Sequence, residues 1–138
     1  MKEVKLLGLT LDRHLTFSPH INAVKRKCHG IIGVLSRAAP LLPKDLLRLA
    51  YVALIRSHLE YCSLVIGSAA KTNLGKLDTV QKISSRVICG ATRDTHSAPL
   101  QEELKLESLE NRREARLLEF FNRALAERCH PALAKMLC

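Results

Sequence analysis

Apolar residues in this chain recur every three or four positions over several stretches, and prolines or glycines punctuate the gaps between them. Ile21, Val24, Cys28, Ile31 and Leu35 form one such stripe, and Leu74, Leu77, Val80, Ile83, Val87 and Ile88 form another. That spacing places each set on one face of a 3.6-residue helix. Ser18-Pro19 reads as an N-cap followed by proline at the first helical position. "AAPLLP" should stop the first helix near Ala39, because proline disfavours helix in the residue before it. A second helix is expected from Pro43 through "KDLLRLAYVALIRSHLEYCSLVI", apolar almost all round, with Arg56 and Glu60 as an (i, i+4) pair on a narrow polar strip. It should be the central helix of the core. Thr72 can cap the third helix and Gly90 can end it. After a polar loop, Thr95 or Ser97 can start a short turn over Leu100 and Leu104. Ser108 should cap a long helix whose apolar face holds Leu109, Leu117, Phe120, Phe121, Ala124 and Leu125. The fold class expected is mostly α, a bundle of four main helices over residues 18–138, preceded by a short β-strand or hairpin over residues 1–17.

The opening segment poses a problem of its own. Val4, Leu6, Leu9 and Leu11 suggest a strand, yet no later segment reads as its partner. An unpaired strand leaves open backbone donors and acceptors. It must fold on itself about Gly8 or pair with polypeptide outside this chain.

At 138 residues the chain fits one domain. With three Phe, two Tyr and no Trp, its core must be aliphatic. The net charge of +9 is unevenly spread: fifteen Lys and Arg stand against six Asp and Glu through Ser97, and seven against seven thereafter. A localised basic excess points to nucleic acid or an anionic membrane surface, with a merely solvated basic surface as the alternative. Five widely spaced cysteines, an odd number, with no signal peptide ahead of them fit a reduced intracellular compartment. No apolar run approaches the roughly 20 residues of a membrane span.

Enzyme signatures do not assemble. There is no GxSxG, P-loop or HExxH, and no convincing catalytic pair of carboxylates on one face. His58 sits on the apolar face of the second helix and reads as a core histidine. Cys28-His29 and Cys129-His130 are adjacent pairs, and neighbours on a helix point about 100° apart. Neither has zinc-ligand spacing, so no metal site and no cofactor is expected.

The basic residues are more informative. Arg26, Gly30, Gly33 and Arg37 fall at i, i+4, i+7 and i+11, opposite the apolar stripe of the first helix, with Lys25 and Lys27 flanking them. Lys71, Gly75, Lys82 and Arg86 make a similar stripe on the third. A helical glycine costs about 1 kcal/mol relative to alanine, so three of them on basic outward faces call for an explanation. A glycine floor between cations would let a sugar–phosphate backbone approach closely. The alternatives are packing by another part of a larger protein, or tolerated drift. Arg112, Arg116, Glu119 and Arg123 read instead as a solvated, salt-bridged face of the last helix, through Arg116–Glu119 and Glu119–Arg123 pairs.

Three segments, "KLLGLTLDRHLTFSPHI", "LIRSHLEYCSLVIGSAAKTNLGKLDTVQKISSRVICGATRDT" and "LESLENRREARLLEFF", together resemble the carboxy-terminal part of reverse transcriptases from non-LTR (LINE-type) retrotransposons. The middle block is the most specific, with Leu59-Glu60-Tyr61, the Leu77…Val80-Gln81 spacing, and Gly90-Ala91 ahead of Arg93-Asp94-Thr95. The ending "HPALAKMLC" matches less clearly. The resemblance implies that Lys5-Leu6-Leu7-Gly8 corresponds to the primer-grip hairpin at the base of the polymerase palm, with Leu7 in place of the usual tyrosine. It implies that the helices correspond to the thumb, which holds the template–primer duplex, RNA–DNA or DNA. The palm and fingers of the larger polymerase would be the other partners. The location would be the nucleus or cytoplasm, within a ribonucleoprotein. Where the family usually has Pro and then Val-Trp, this chain has Leu64, Val65 and Ile66, so the second helix is expected to run on. The family's paired catalytic aspartates have no counterpart, since Asp12 and Asp94 are not such a pair; this chain alone should polymerise nothing. A helical protein–protein adaptor and a non-functional relic of a transposable element are the rival readings.

Overall fold

A computed structural model of the chain describes residues 3–126. Leu7 and Gly8 both take positive φ, 52° and 83°, as a type I′ hairpin turn requires. The opening strand therefore pairs with itself. Strand β1 (Glu3–Leu6) runs antiparallel to β2 (Leu9–Asp12), with Val4 opposite Leu11 and Leu6 opposite Leu9. A leucine in the left-handed region costs about 1–2 kcal/mol, and the turn is held from outside: the Tyr61 hydroxyl donates to the Leu7 carbonyl. The same side chain, hydroxyl and ring edge together, lies 3.5–3.8 Å from the position a side-chain carbon on Gly8 would take.

Asp12 joins the hairpin to the first helix. Its carboxylate accepts from the Thr16 hydroxyl at 2.7 Å, the Thr16 amide at 3.1 Å and the Phe17 amide at 2.9 Å. These bonds, the Thr16 hydroxyl foremost, pull its pKa down from 3.8 to about 2. Helix α1 (Ser18–Ala38) then starts one residue earlier than a Ser18 cap implies, with Phe17 at the cap position and Pro19 in the first turn. The low folded-state pKa has a consequence for pH. Ionised Asp12 contributes its stability in full above pH 4, and that contribution is lost as pH falls from 3.8 towards 2. The stability difference between the wild type and Asp12→Ala should therefore shrink over that window in acid titrations followed by circular dichroism. A constant difference would show that the carboxylate charge is immaterial.

His20, on the first turn of α1, is 4% exposed and accepts the Thr10 amide on Nδ1 at 3.3 Å. Burial lowers its pKa, and its buried Nε2 has no partner among the described residues. Through this bond and buried Leu9, the hairpin packs on α1. His58, expected in the core, is only half-buried; the core histidine is His20.

Helix α2 (Lys44–Tyr51), a π-helical turn (Val52–Arg56) and helix α3 (Ser57–Glu60) form the second segment. Leu47, Tyr51, Ile55 and Leu59 are all at most 2% exposed and form its core face. The segment is one-sided, however, since Leu46, Leu49 and Leu54 face solvent. Nor does it run on. Tyr61 is extended (ψ 128°) and Cys62 is left-handed (φ 56°), so α4 (Ser63–Ile66) is a separate turn. The break carries the Tyr61 side chain to the hairpin. A helix unbroken through residue 66 would forfeit that bond.

Helix α5 (Lys71–Cys89) begins at Lys71, with Ala70 at the cap and no side-chain cap from Thr72. Left-handed Gly90 (φ 67°) ends it, and the Ala91 amide closes back on the Arg86 carbonyl. It packs most extensively against α1, burying Leu77, Val80 and Ile88 against Ile21, Cys28 and Ile32. Helix α6 (Ser97–Glu103) follows, with His96 rather than Thr95 or Ser97 at its cap. Helix α7 (Leu109–Leu125) is capped by the Ser108 side chain, which accepts the Asn111 amide at 3.2 Å. Of its expected apolar face only Leu109 and Ala124 are buried; Leu117, Phe121 and Leu125 are exposed. The fold is mostly α behind a small hairpin, as the periodicities imply. Cys129, His130 and the segment "HPALAKMLC" lie outside the described residues.

Candidate nucleic-acid interface

The packing of α1 on α5 turns the apolar stripes inward and leaves most of the basic stripes outside. Arg26, Lys27 and Arg37 on α1 and Lys71 and Lys82 on α5 are exposed, and Lys25 and Arg86 are half-buried. The two helices are tied at their surface where Lys76 Nζ donates to Asn22 Oδ1 at 3.0 Å. The space over the glycines is open: a side-chain carbon added at Gly30, Gly33 or Gly75 would meet nothing within 4 Å. No neighbouring element among the described residues therefore demands glycine at these three positions.

The stripes are not uniform. Arg37 Nε donates to the Gly33 carbonyl at 3.3 Å, which lays its side chain along α1. Arg86 Nε donates to the Thr95 carbonyl at 2.9 Å and holds the loop after α5. Lys71, at the other end of α5, lines a groove shared with Asp78 and with Glu110, Arg113 and Glu114 of α7. Burial raises the Asp78 pKa against the opposing pull of Arg113 and Lys82. The α5 stripe thus splits, with Lys71 beside α7 and Arg86 bonded to a loop, while Lys82 stays exposed. The α1 cations form the more continuous face. In the hairpin, Lys5, Leu6, Leu7 and Gly8 are all exposed, and Leu7 is 84% so.

A second cluster of charge has no counterpart in the sequence reading. Glu60, 7% exposed, does not pair with Arg56. Its carboxylate accepts Arg112 Nε, Arg112 Nη2 at 3.2 Å and Arg116 Nη2 at 3.1 Å, joining α3 to α7. Of the pairs expected along α7, Glu119–Arg123 forms, whereas Arg116 turns to Glu60. The signal for this cluster lay in Leu59-Glu60-Tyr61. Leu59 enters the core, Glu60 binds α7, and Tyr61 holds the hairpin turn.

Beneath the cluster the Tyr51 hydroxyl donates to Gln81 Oε1 at 2.7 Å, and Gln81 Nε2 donates to Gln101 Oε1 and to the Glu107 carbonyl. Burial raises the Tyr51 pKa, so the phenol stays a donor. It also pushes the Cys28 thiol up to about 11, which makes it an unreactive core residue. No group of three or more His, Cys, Asp or Glu among the described residues is arranged to hold a metal ion. No helix among them is long and apolar enough to cross a membrane.

Comparison with known proteins gives two relatives. The chain is 27% identical over 139 residues to a probable RNA-directed DNA polymerase from transposon BS of Drosophila melanogaster, covering 98% of this chain and 15% of that protein. It is 32% identical over 110 residues to the RNA-directed DNA polymerase from the mobile element jockey of the same organism, covering 76% of this chain and 12% of that protein. The chain thus spans less than a sixth of the length of either relative. No family model matches it, and no solved structure does.

Proposed function

Because this chain is related to one segment of retrotransposon RNA-directed DNA polymerases, we propose that it grips a template–primer duplex and does not itself add nucleotides. What supports this reading is the outward cationic face of α1, with Lys25, Arg26, Lys27 and Arg37 around an unobstructed glycine floor and Lys82 on the adjoining α5. Guanidinium and ammonium groups on such a face meet phosphates irrespective of sequence, and a polymerase must hold any sequence it copies. An RNA–DNA hybrid offers a shallow A-like minor groove, which suits recognition by shape and backbone. In this reading the hairpin of Lys5 to Gly8 lies near the primer end. The exposed leucines of α2 and α7 and the open edges of the hairpin meet the palm and other parts of a larger polymerase.

Salt dependence provides the test. If about five phosphates are neutralised, log K against log salt should slope by about −4 to −5. Affinity should be weak, with Kd on the order of 10⁻⁴–10⁻⁶ M at physiological salt. Changing Arg26 and Arg37 together to Ala should flatten the slope by about 2 and raise Kd about 30-fold at about 0.15 M salt, alike for every duplex sequence. Gly30→Leu, which the open space accommodates, should weaken binding despite its better helix propensity. Arg123→Ala removes a cation paired with Glu119 and should change little. An Arg26/Arg37 double variant with wild-type affinity and slope would defeat the duplex reading. The helical adaptor would then stand in its place, favoured by the exposed Leu46, Leu49, Leu54, Leu118 and Leu125.

A further inference from the structure

We propose that Arg56, with Arg112 near it, forms a phosphate-binding site in which buried Glu60 fixes the two α7 guanidiniums, Arg112 and Arg116, and Arg56 is left to take the anion. The proposal rests on the duplex reading only for the source of its phosphate. Arg56 and Glu60 are four residues apart on the helical segment to which α7 is bound. The carboxylate that local spacing assigns to Arg56 is already filled from across the interface, by Arg112 on both oxygens and by Arg116. Arg56 makes no hydrogen bond or ion pair among the described residues, although it is half-buried. Arg48, a further neighbouring cation, is committed to the carbonyls of Leu104 and Lys105 at the end of α6.

Two guanidiniums thus bind the one carboxylate, and Arg56 on the same helical segment is left out of the bonds. Arg56 feels the result: burial lowers its pKa and the like charge of Arg112 lowers it further, against the weaker opposing pull of Glu60. A guanidinium presents several donors in a planar fork suited to phosphate, and one that is partly desolvated with no partner gains most from an incoming oxyanion. The helix is distorted at this position too. A π-helical turn ends at Arg56, and such turns are rare and concentrate at functional sites. Glu60 gives the site its rigidity, because a buried carboxylate holding two arginines orients donors that would otherwise be mobile.

The test compares wild type, Arg56→Ala and Arg56→Lys in two assays. Inorganic pyrophosphate should raise the Tm of the wild type most, that of Arg56→Lys less, since lysine keeps the charge without the fork, and that of Arg56→Ala least. Without pyrophosphate the Tm of Arg56→Ala should match or exceed that of wild type, since repulsion is relieved. In duplex binding, Arg56→Ala should flatten the salt slope by about 1 and raise Kd about fivefold at about 0.15 M salt, the counterion-release value for one phosphate. Pyrophosphate protection that depends on Arg56, in a protein that binds no duplex, keeps the site, assigns it to a free phosphate and defeats the duplex reading. A duplex slope that responds to Arg26 and Arg37, with neither assay responding to Arg56→Ala, overturns the site and leaves the duplex reading standing.

Discussion

Replacing Glu60 with alanine should destabilise the protein by about 3 kcal/mol, the cost of breaking a buried ion pair from one side. For a chain of this size the loss corresponds to about 10 °C in Tm. The reason is that one carboxylate carries all three charge-assisted hydrogen bonds between α3 and α7, so that all are lost together. Glu60's side chain is 8% exposed, whereas those of Arg112 and Arg116 are 27% and 49% exposed. Removing the carboxylate takes from partly desolvated Arg112 its main counter-charge and leaves it near the like charge of Arg56. Few other contacts hold α7, because Leu109 and Ala124 are its only buried residues among those described. Hydrogen exchange in Glu60→Ala should therefore speed up first along residues 109–125, before the α1–α5 pair opens. A double variant, Glu60→Leu with Arg112→Met, should recover part of the loss, since apolar replacement of both partners removes the stranded charge. If Glu60→Ala unfolds at the wild-type temperature, the α3–α7 ion pairs contribute nothing, and α7 is held by other means.

Gln81→Leu should cost a similar amount, about 3 kcal/mol, although it exchanges one side chain for another of nearly the same size. Gln81 is 2% exposed and uses both ends of its amide. It accepts the Tyr51 hydroxyl, and it donates to Gln101 Oε1 at 3.0 Å and the Glu107 carbonyl at 3.1 Å. Leucine would strand the hydroxyl of Tyr51, which is 0% exposed, and each unsatisfied buried group costs about 1–3 kcal/mol. The loss would also untie α5 from the strand of chain that leads into α7. Ser85 offers the contrast. It is as deeply buried, but its hydroxyl returns to the Gln81 carbonyl of its own helix at 2.9 Å. Ser85→Ala leaves only a carbonyl already bonded within the helix and should cost far less. Denaturant titrations of the two variants would separate these cases, and equal losses would show that the amide network has no special weight.

Much of this was legible from local pattern. The spans of α1 and α5, the Ser108 cap and the Gly90 stop all follow from backbone preferences that act within a few residues, whereas the strand at the start could equally have paired outside the chain. The excess charge before Ala98 and the outward placement of Arg26, Lys27, Arg37 and Lys82 also followed, because an apolar stripe that turns inward must turn the opposite face out. The sequence determined these features by itself, and it carried the resemblance to retrotransposon polymerases as well.

Which side of an apolar helix is covered was decided only by the tertiary structure. Leu49 and Leu54 read as core residues as convincingly as Leu47 and Ile55, since hydrophobicity gives no direction to a helix that is apolar on both sides. Polar partners were decided in the same way. Spacing permits Arg56–Glu60 and Arg116–Glu119, but Glu60 is bound by two arginines more than fifty residues away. A carboxylate removed from water interacts more strongly with whatever reaches it, so packing overrides the pair that proximity in sequence offers. The break at Tyr61–Cys62 has the same origin. Nothing local demands a left-handed residue at Cys62, and the turn exists because the tyrosine hydroxyl finds the Leu7 carbonyl across 54 positions of chain. Periodicity set the helices, and burial chose their partners.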